Sequence, residues 1–266
     1  MLTDAQIDAI AAELAEADRT HAVIPRITAR YPDAVVEDSY AIQGRWRDTQ
    51  IAAGRTLVGR KIGLTSKAMQ RSSNIDEPDY GCLLDDMFFD EGSDIPTSRF
   101  IEPRVEVELA FVLKDRLEGP NCTLEDVLAA TDYVTPALEI IDARIERISP
   151  AGGTRKVFDT ISDNAANAGV VMGGRPFKPG ELDMRWVAAI LYRNGVVEES
   201  GVAAAVLDHP ANGPAWLANK LHPYGVALEP GQVILGGSFT SPIFGKAGDS
   251  FHVDYGPCGS ISFRFV

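Results

Sequence analysis

The chain has 266 residues, 45% of them hydrophobic, and a formal net charge of −13 at pH 7. That is ample apolar material for a core, and the acidic balance argues against nucleic acid or an anionic membrane as partner, since both need clustered cations. An anionic small molecule stays open, because a bound cation and a few Lys or Arg can reverse the sign within one pocket. No stretch is apolar enough to span a bilayer, and the start MLTDAQIDAI is too acidic for a signal peptide. Cys82, Cys122 and Cys258 show no CxxC spacing, so the expectation is a cytoplasmic protein with reduced thiols.

The first predicted element is a helix, with Thr3 and Gln6 as a capping box and Ile7, Ile10, Ala11 and Leu14 at helical spacing. A second helix is predicted from about Asp38 to Ala53, stopped by Gly54. The texture then changes to short strands separated by Gly, Pro, Asp and Asn. RTLVGRKIGL, DMFFDEG and RVEVELAFVL read as strands, and Asp79-Tyr80-Gly81 between them as a turn. TLEDVLAAT is a short helix capped by Thr123, followed by the strands YVTPALEIID and GVVMGG. Asn194-Gly195 signals a hairpin between MRWVAAILYR and VVEESG. PANGPAWLANKL is expected to be a helix packing Trp216, Leu217 and Leu221 inward; QVILGGSF, DSFHVDYG and SISFRFV complete the strands. The pattern predicts an α+β fold dominated by a rolled sheet, with an N-terminal helical region over residues 1–56 and a β-rich catalytic domain over 57–266.

Three carboxylates carry the chemistry. Glu106 and Glu108 lie two apart in a strand pattern and so share a face, and Glu139 sits among apolar residues in another strand. A solvated edge strand is the plain alternative for the pair, but an acid inside an apolar strand is costly unless something pairs with it. Three converging carboxylates without His or Cys favour a hard cation, with Mg²⁺ the best fit and Mn²⁺ a substitute. Lys61 lies between Gly59 and Gly63, where glycine marks a close approach to another strand or to a ligand. A pocket-facing lysine there could move protons; a surface lysine is the alternative. ISDNAANAG, a dense run of small polar residues, suits placing backbone N–H groups and the Ser162 hydroxyl near an anion. His21, His209, His222 and His252 form no HExxH pair, and no GxSxG occurs.

Taken together, GRKIGLTSKAMQ, EPDYGCLLDDMF, PRVEVELAFVL, TDYVTPALEIIDARI, KVFDTISDNAANAGVVMGGRP and FHVDYGPCGSISFRF resemble the hydratase/decarboxylase branch of the fumarylacetoacetate hydrolase superfamily, over essentially the whole chain. The resemblance implies a mixed β-roll with N-terminal helices, and Mg²⁺ held by Glu106, Glu108 and Glu139. It implies Lys61 and Asp79 as catalytic residues, with Leu84 and Ser162 lining the substrate pocket. The implied reaction is hydration of a 2-oxo-alkenoate dicarboxylate in aromatic meta-cleavage catabolism, by a homo-oligomer that is often a decamer. Decarboxylation of a 2-oxo-hexenedioate, hydration of 2-oxopent-4-enoate, hydrolytic C–C cleavage and a scaffold role beside a pathway aldolase or decarboxylase are the alternatives. A diacid substrate also needs a cation for its second carboxylate, and Arg71, Arg104, Arg144 and Lys156 are the candidates from sequence.

Overall fold

The computed structural model describes every residue except Asn74 and Ala151, and the side chains of all the others except Ala68, Ser72 and Ser73. Helix α1 (Asp4–Thr20) begins at the expected capping box, in which the Thr3 hydroxyl accepts from the Gln6 N–H. After the one-turn α2 (Ile27–Arg30), helix α3 spans Val36–Ala52, starting two residues earlier than its sequence pattern indicated. Asp38 lies inside its first turn and accepts from the Val35 N–H, so this acid caps the helix from within. The buried faces of α1 and α3 share a cluster with Leu84, Met87, Ile145 and Phe158, which moors the helices to the strands that follow.

Two sheets make up the rest. The larger contains β1 (Leu57–Gly63), β2 (Asp79–Leu84), β3 (Phe88–Phe89), β5 (Arg104–Leu113), β6 (Thr131–Ile141), β7 (Asn167–Met172), β10 (Val233–Leu235) and β11 (Ile243–Phe244). Its order is β2-β1-β10-β5-β6-β7-β3, with β11 pairing the start of β5. The smaller sheet runs β4-β13-β12-β8-β9, from β4 (Asp94–Ile95), β8 (Ala188–Arg193), β9 (Val196–Val202), β12 (Ser250–Asp254) and β13 (Ser260–Phe265). Short helices α4 (Lys67–Ser73), α5 (Leu124–Ala130), α6 (Val157–Ser162) and α7 (Asn212–Leu221) fill the connections.

Strand alternation gives the large sheet two different faces. Val105, Val107, Leu109 and Phe111 of β5, with Leu138 and Ile140 of β6, pack into the main core against Phe251, Val253, Ile261, Phe263 and Phe265 of the small sheet. The opposite face carries a smaller apolar cluster of Leu83, Ala110, Ala137, Val170 and Leu235. The acids of β5 and β6 share that second face, because Glu106 and Glu108 precede Ala110 by even numbers of residues and Glu139 follows Ala137 by two.

Several sequence readings need correction. Asp79-Tyr80-Gly81 is buried strand, the first half of β2, and is no turn. Gly81 is needed for close approach, since a Cβ there would press on the Asn164 backbone carbonyl. DMFFDEG is strand only at Phe88 and Phe89, and MRW forms a 3₁₀ turn before β8. Leu217 and Leu221 of α7 are fully buried, whereas Trp216 is partly covered, 6.4 Å from the Tyr80 ring.

Gly59 and Gly63 realise both meanings of a strand glycine. A Cβ on Gly59 would overlap the Val233 carbonyl of the neighbouring strand, and one on Gly63 would strike the Asp79 carboxylate. Gly59→Ala should therefore lower folding stability by about 1–3 kcal/mol through forced separation of β1 and β10, read as a fall in the urea midpoint. An unchanged midpoint would mean that the two strands can separate without cost.

Candidate active site and metal centre

Glu106 and Glu139 are direct antiparallel partners in the β5–β6 register, and Glu108 stands opposite Ala137 one step along. One carboxylate oxygen from each of the three lies within 4.8 Å of the others. Like charges directly opposite on neighbouring strands repel, and these lie above an apolar cluster with little water to screen them. Burial first, then the Glu139 charge, pushes Glu106 up to about 7 and Glu108 well above the usual carboxylate range. The surrounding protein satisfies them only in part. The Gly237 N–H donates to Glu108 Oε2 at 2.8 Å, and Asn167 Nδ2 donates to Glu139 Oε1 at 2.9 Å. Glu139 Oε2 is buried and has no hydrogen-bond partner.

Lys61 is delivered from β1. Its Nζ lies 3.1 Å from Glu139 Oε1, with both side chains almost fully buried. Burial alone would favour the neutral amine, but Glu139, Asp79, Glu106 and Glu108 outweigh it and keep the lysine charged. β1 and β6 are separated by β10 and β5, three strand spacings or about 14 Å in a flat sheet, which these side chains would span only if both lay fully extended along it. The curl of the sheet closes that gap. Asp79 opposes Gly63 at the end of β1, on the same face as Lys61. Burial raises its carboxyl to about 6 despite the Lys61 charge, and its Oδ1 has no hydrogen-bond partner.

An oxygen-only trio with an orphaned oxygen on Glu139, raised carboxyls at Glu106 and Glu108, and no thiolate or imidazole fits a hard divalent cation. One lysine cannot neutralise four acids, so the arrangement is short of positive charge.

The structure separates the other residues singled out from sequence. Leu84 points to the opposite face from Asp79 and packs among Met87, Phe158 and the helices; Leu83 is the residue on the carboxylate face. Counting in twos from Asp79 reaches Gly81 and Leu83, so alternation contained that signal once β2 was read as a strand. The Ser162 hydroxyl donates to the Phe158 carbonyl at 2.9 Å inside α6. Farther along the same run, Asn164 clasps Cys82 through its N–H and its carbonyl, and Asn167 reaches Glu139. Asn164, Ala165 and Ala166 all have positive φ, a backbone path that composition alone did not reveal. Asn167 was missed for that reason.

No family model matches the chain. Its structure superposes on 4-oxalocrotonate decarboxylase from Pseudomonas putida G7, solved with magnesium and adipate, with a TM-score of 0.95 and 35% identity; 100% of this chain and 99% of that one are covered. It also shares its fold with fumarylpyruvate hydrolase from Pseudomonas aeruginosa, at a TM-score of 0.56 and 15% identity, covering 80% and 89% of the two chains. The chain belongs to the hydratase/decarboxylase branch of the fumarylacetoacetate hydrolase superfamily, as its motifs indicated. Within that branch it is 67% identical to 2-oxo-hept-4-ene-1,7-dioate hydratase of Escherichia coli, over 97% of each chain. It is 38% identical to 2-hydroxyhexa-2,4-dienoate hydratase of Comamonas testosteroni, over 95% of each.

The raised carboxyls set a pH test. A carboxyl with a higher pKa in the fold than in the unfolded chain supports folding while protonated and loses that contribution as pH rises through the folded value. For Asp79 and Glu106 the window runs from about 4 to about 7. Chelated protein should therefore lose melting temperature across this window relative to protein with saturating Mg²⁺, so that the gap between the two widens toward pH 8. A gap that stays constant would show that the carboxylates are not the metal ligands.

Proposed function

We propose that this protein is a Mg²⁺-dependent hydratase that adds water to 2-oxo-hept-4-ene-1,7-dioate to give 4-hydroxy-2-oxoheptanedioate, in meta-cleavage catabolism of aromatic compounds. The observation that carries the reading is the 67% identity, over nearly the whole chain, to a hydratase of that name. The converging acids, Lys61 and Asp79 are what such chemistry requires.

Glu106, Glu108 and Glu139 would hold the ion, which when bound supplies Lewis-acid stabilisation of negative charge on the substrate's 2-oxo group. The residues of the chain do the rest. The Lys61 ammonium, fixed by Glu139, orients the 2-oxo acid end and can donate a proton. Asp79, with Oδ1 free and its pKa near 6, is suited to accept one from C3. Loss of a C3 proton and gain of one at C5 move the double bond from C4–C5 to C3–C4, in conjugation with the 2-oxo group. Water then adds its oxygen at C4, and C3 receives a proton. Leu83 and the small apolar cluster exclude bulk water from the face where this happens.

Decarboxylation is the second reading, favoured by the close superposition on 4-oxalocrotonate decarboxylase. One incubation separates the two. With the seven-carbon dienol diacid and Mg²⁺, hydration consumes the diene absorbance without gas, whereas decarboxylation releases carbon dioxide in stoichiometric amount. No decay with or without metal would leave only the scaffold reading. The family resemblance further supports a cytoplasmic homo-oligomer, a decamer, which light scattering on the eluted protein would test. Among the described residues no helix is long and apolar enough to cross a membrane.

Lys61→Ala and Asp79→Asn should each lower kcat by about 10²-fold or more while the variants still bind Mg²⁺. Near-normal turnover in either would remove that residue from the mechanism. Gly63→Ala places a methyl group against the Asp79 carboxylate and should mimic the Asp79 variant in kcat, with a folded far-ultraviolet spectrum.

A further inference from the structure

The acids have a basic counterpart at the start of β5. Arg104 lies two residues before Glu106 and so points to the same face, about 7 Å farther along the strand. Its guanidinium stacks 3.9 Å from the centre of the Phe244 ring, which fixes its direction, yet its Nε is buried without a hydrogen-bond partner. Arg155 and Arg147 lie within electrostatic reach of it, and the Arg155 N–H donates to the Arg147 carbonyl at 2.8 Å; Arg147 itself pairs with Glu102 at 3.3 Å. Arg155 is 12% exposed, and its Nη1 has no hydrogen-bond partner; its ion-pair contact is Asp163, at 3.7 Å. Asp163 is itself already taken by Arg144, through both the backbone N–H and the guanidinium.

Burial first, and then one another's positive charge, lowers all three of these arginines. Arg104 shares a strand face with Glu106, and Arg155 is within electrostatic reach of Asp79. Half-buried guanidinium groups that repel one another, with an unused donor at Arg104 Nε and at Arg155 Nη1, suit an anion. A seven-carbon diacid has six carbon–carbon bonds of about 1.5 Å and, extended, spans about 7–8 Å, close to one two-residue step on a strand.

We propose that Arg104 and Arg155 form the subsite for the substrate's second carboxylate, with Arg147 supporting Arg155, and so select diacids over 2-oxo acids that end in a methyl group. Of the sequence candidates, Arg144 is committed to Asp163, and Arg71 and Lys156 are exposed. Arg155 was not among them. The inference rests on the hydratase reading only in taking the substrate to be a seven-carbon diacid.

The test is titration calorimetry at saturating Mg²⁺ with 2-oxoheptanedioate and 2-oxoheptanoate, on the wild type, Arg155→Gln and Arg104→Gln, each checked for a folded melting curve. The wild type should prefer the diacid by about tenfold or more, and each variant should lose most of that preference while holding 2-oxoheptanoate within about threefold of wild type. If one variant does not fold, the other decides. Equal binding of the two acids by wild type, or a preference kept in a folded variant, overturns the assignment. Parallel loss of both acids overturns it too, because the arginines would then serve the 2-oxo end. A wild type that shows the preference but does not hydrate 2-oxo-hept-4-ene-1,7-dioate would refute the hydratase reading and leave the carboxylate subsite standing.

Discussion

Two glutamates face each other across neighbouring strands, over an apolar floor, and the rest of the site depends on how that repulsion is met. Glu106 and Glu139 are register partners, Glu108 is a step away, and Asp79 adds a fourth acid on the same face. Such an arrangement is stable only with opposing charge close by. Lys61 supplies part of it from within the chain, and Gly237 and Asn167 supply hydrogen bonds. The remainder is what a bound cation would supply on the proposed reading, and a site unfavourable as a piece of β-sheet would then be suited to enolate-type chemistry.

The scaffold keeps those charges in place by separating the two faces of one sheet. The outer face of β5 and β6 is packed against the aromatic inner face of the small sheet, and Tyr255 ties the layers by donating to the Ala137 carbonyl at 2.7 Å. With that face fixed, the inner side chains have little freedom, and the carboxylates are held near one another at the expense of folding stability. Glycines at Gly63 and Gly81 clear space where a Cβ would displace Asp79 or the Asn164 backbone. Preorganisation of this kind is set by close packing some distance from the acids.

The acids of this chain suit hydration and decarboxylation of a 2-oxo acid alike. A relative named for hydration at 67% identity and one named for decarboxylation at a TM-score of 0.95 share this architecture. Stabilising negative charge on a 2-oxo acid is useful to either reaction. Discrimination must come from groups farther along the substrate, and on the carboxylate face the candidates are Leu83 and, at the start of β5, Arg104.

What the sequence determined is tied to local periodicity and to motif. Alternation in RVEVELAFV put Glu106 and Glu108 on one face; the Thr3 capping box, the Thr123 N-cap and the α+β class were legible in the same way. The linear motifs carried the family. Reading DYG as a turn hid the alternation of β2, which sets Leu83 on the face of Asp79 and Leu84 on the other. Only tertiary structure decided that Lys61 reaches Glu139 from a strand three places away, that Asn167 bonds Glu139 while the Ser162 hydroxyl turns into its own helix, and that Arg155 comes within electrostatic reach of Arg104. Periodicity says which way a side chain faces along its own strand. Which strands are brought together, and how strongly their sheet is curled, depends on contacts between residues far apart in the chain.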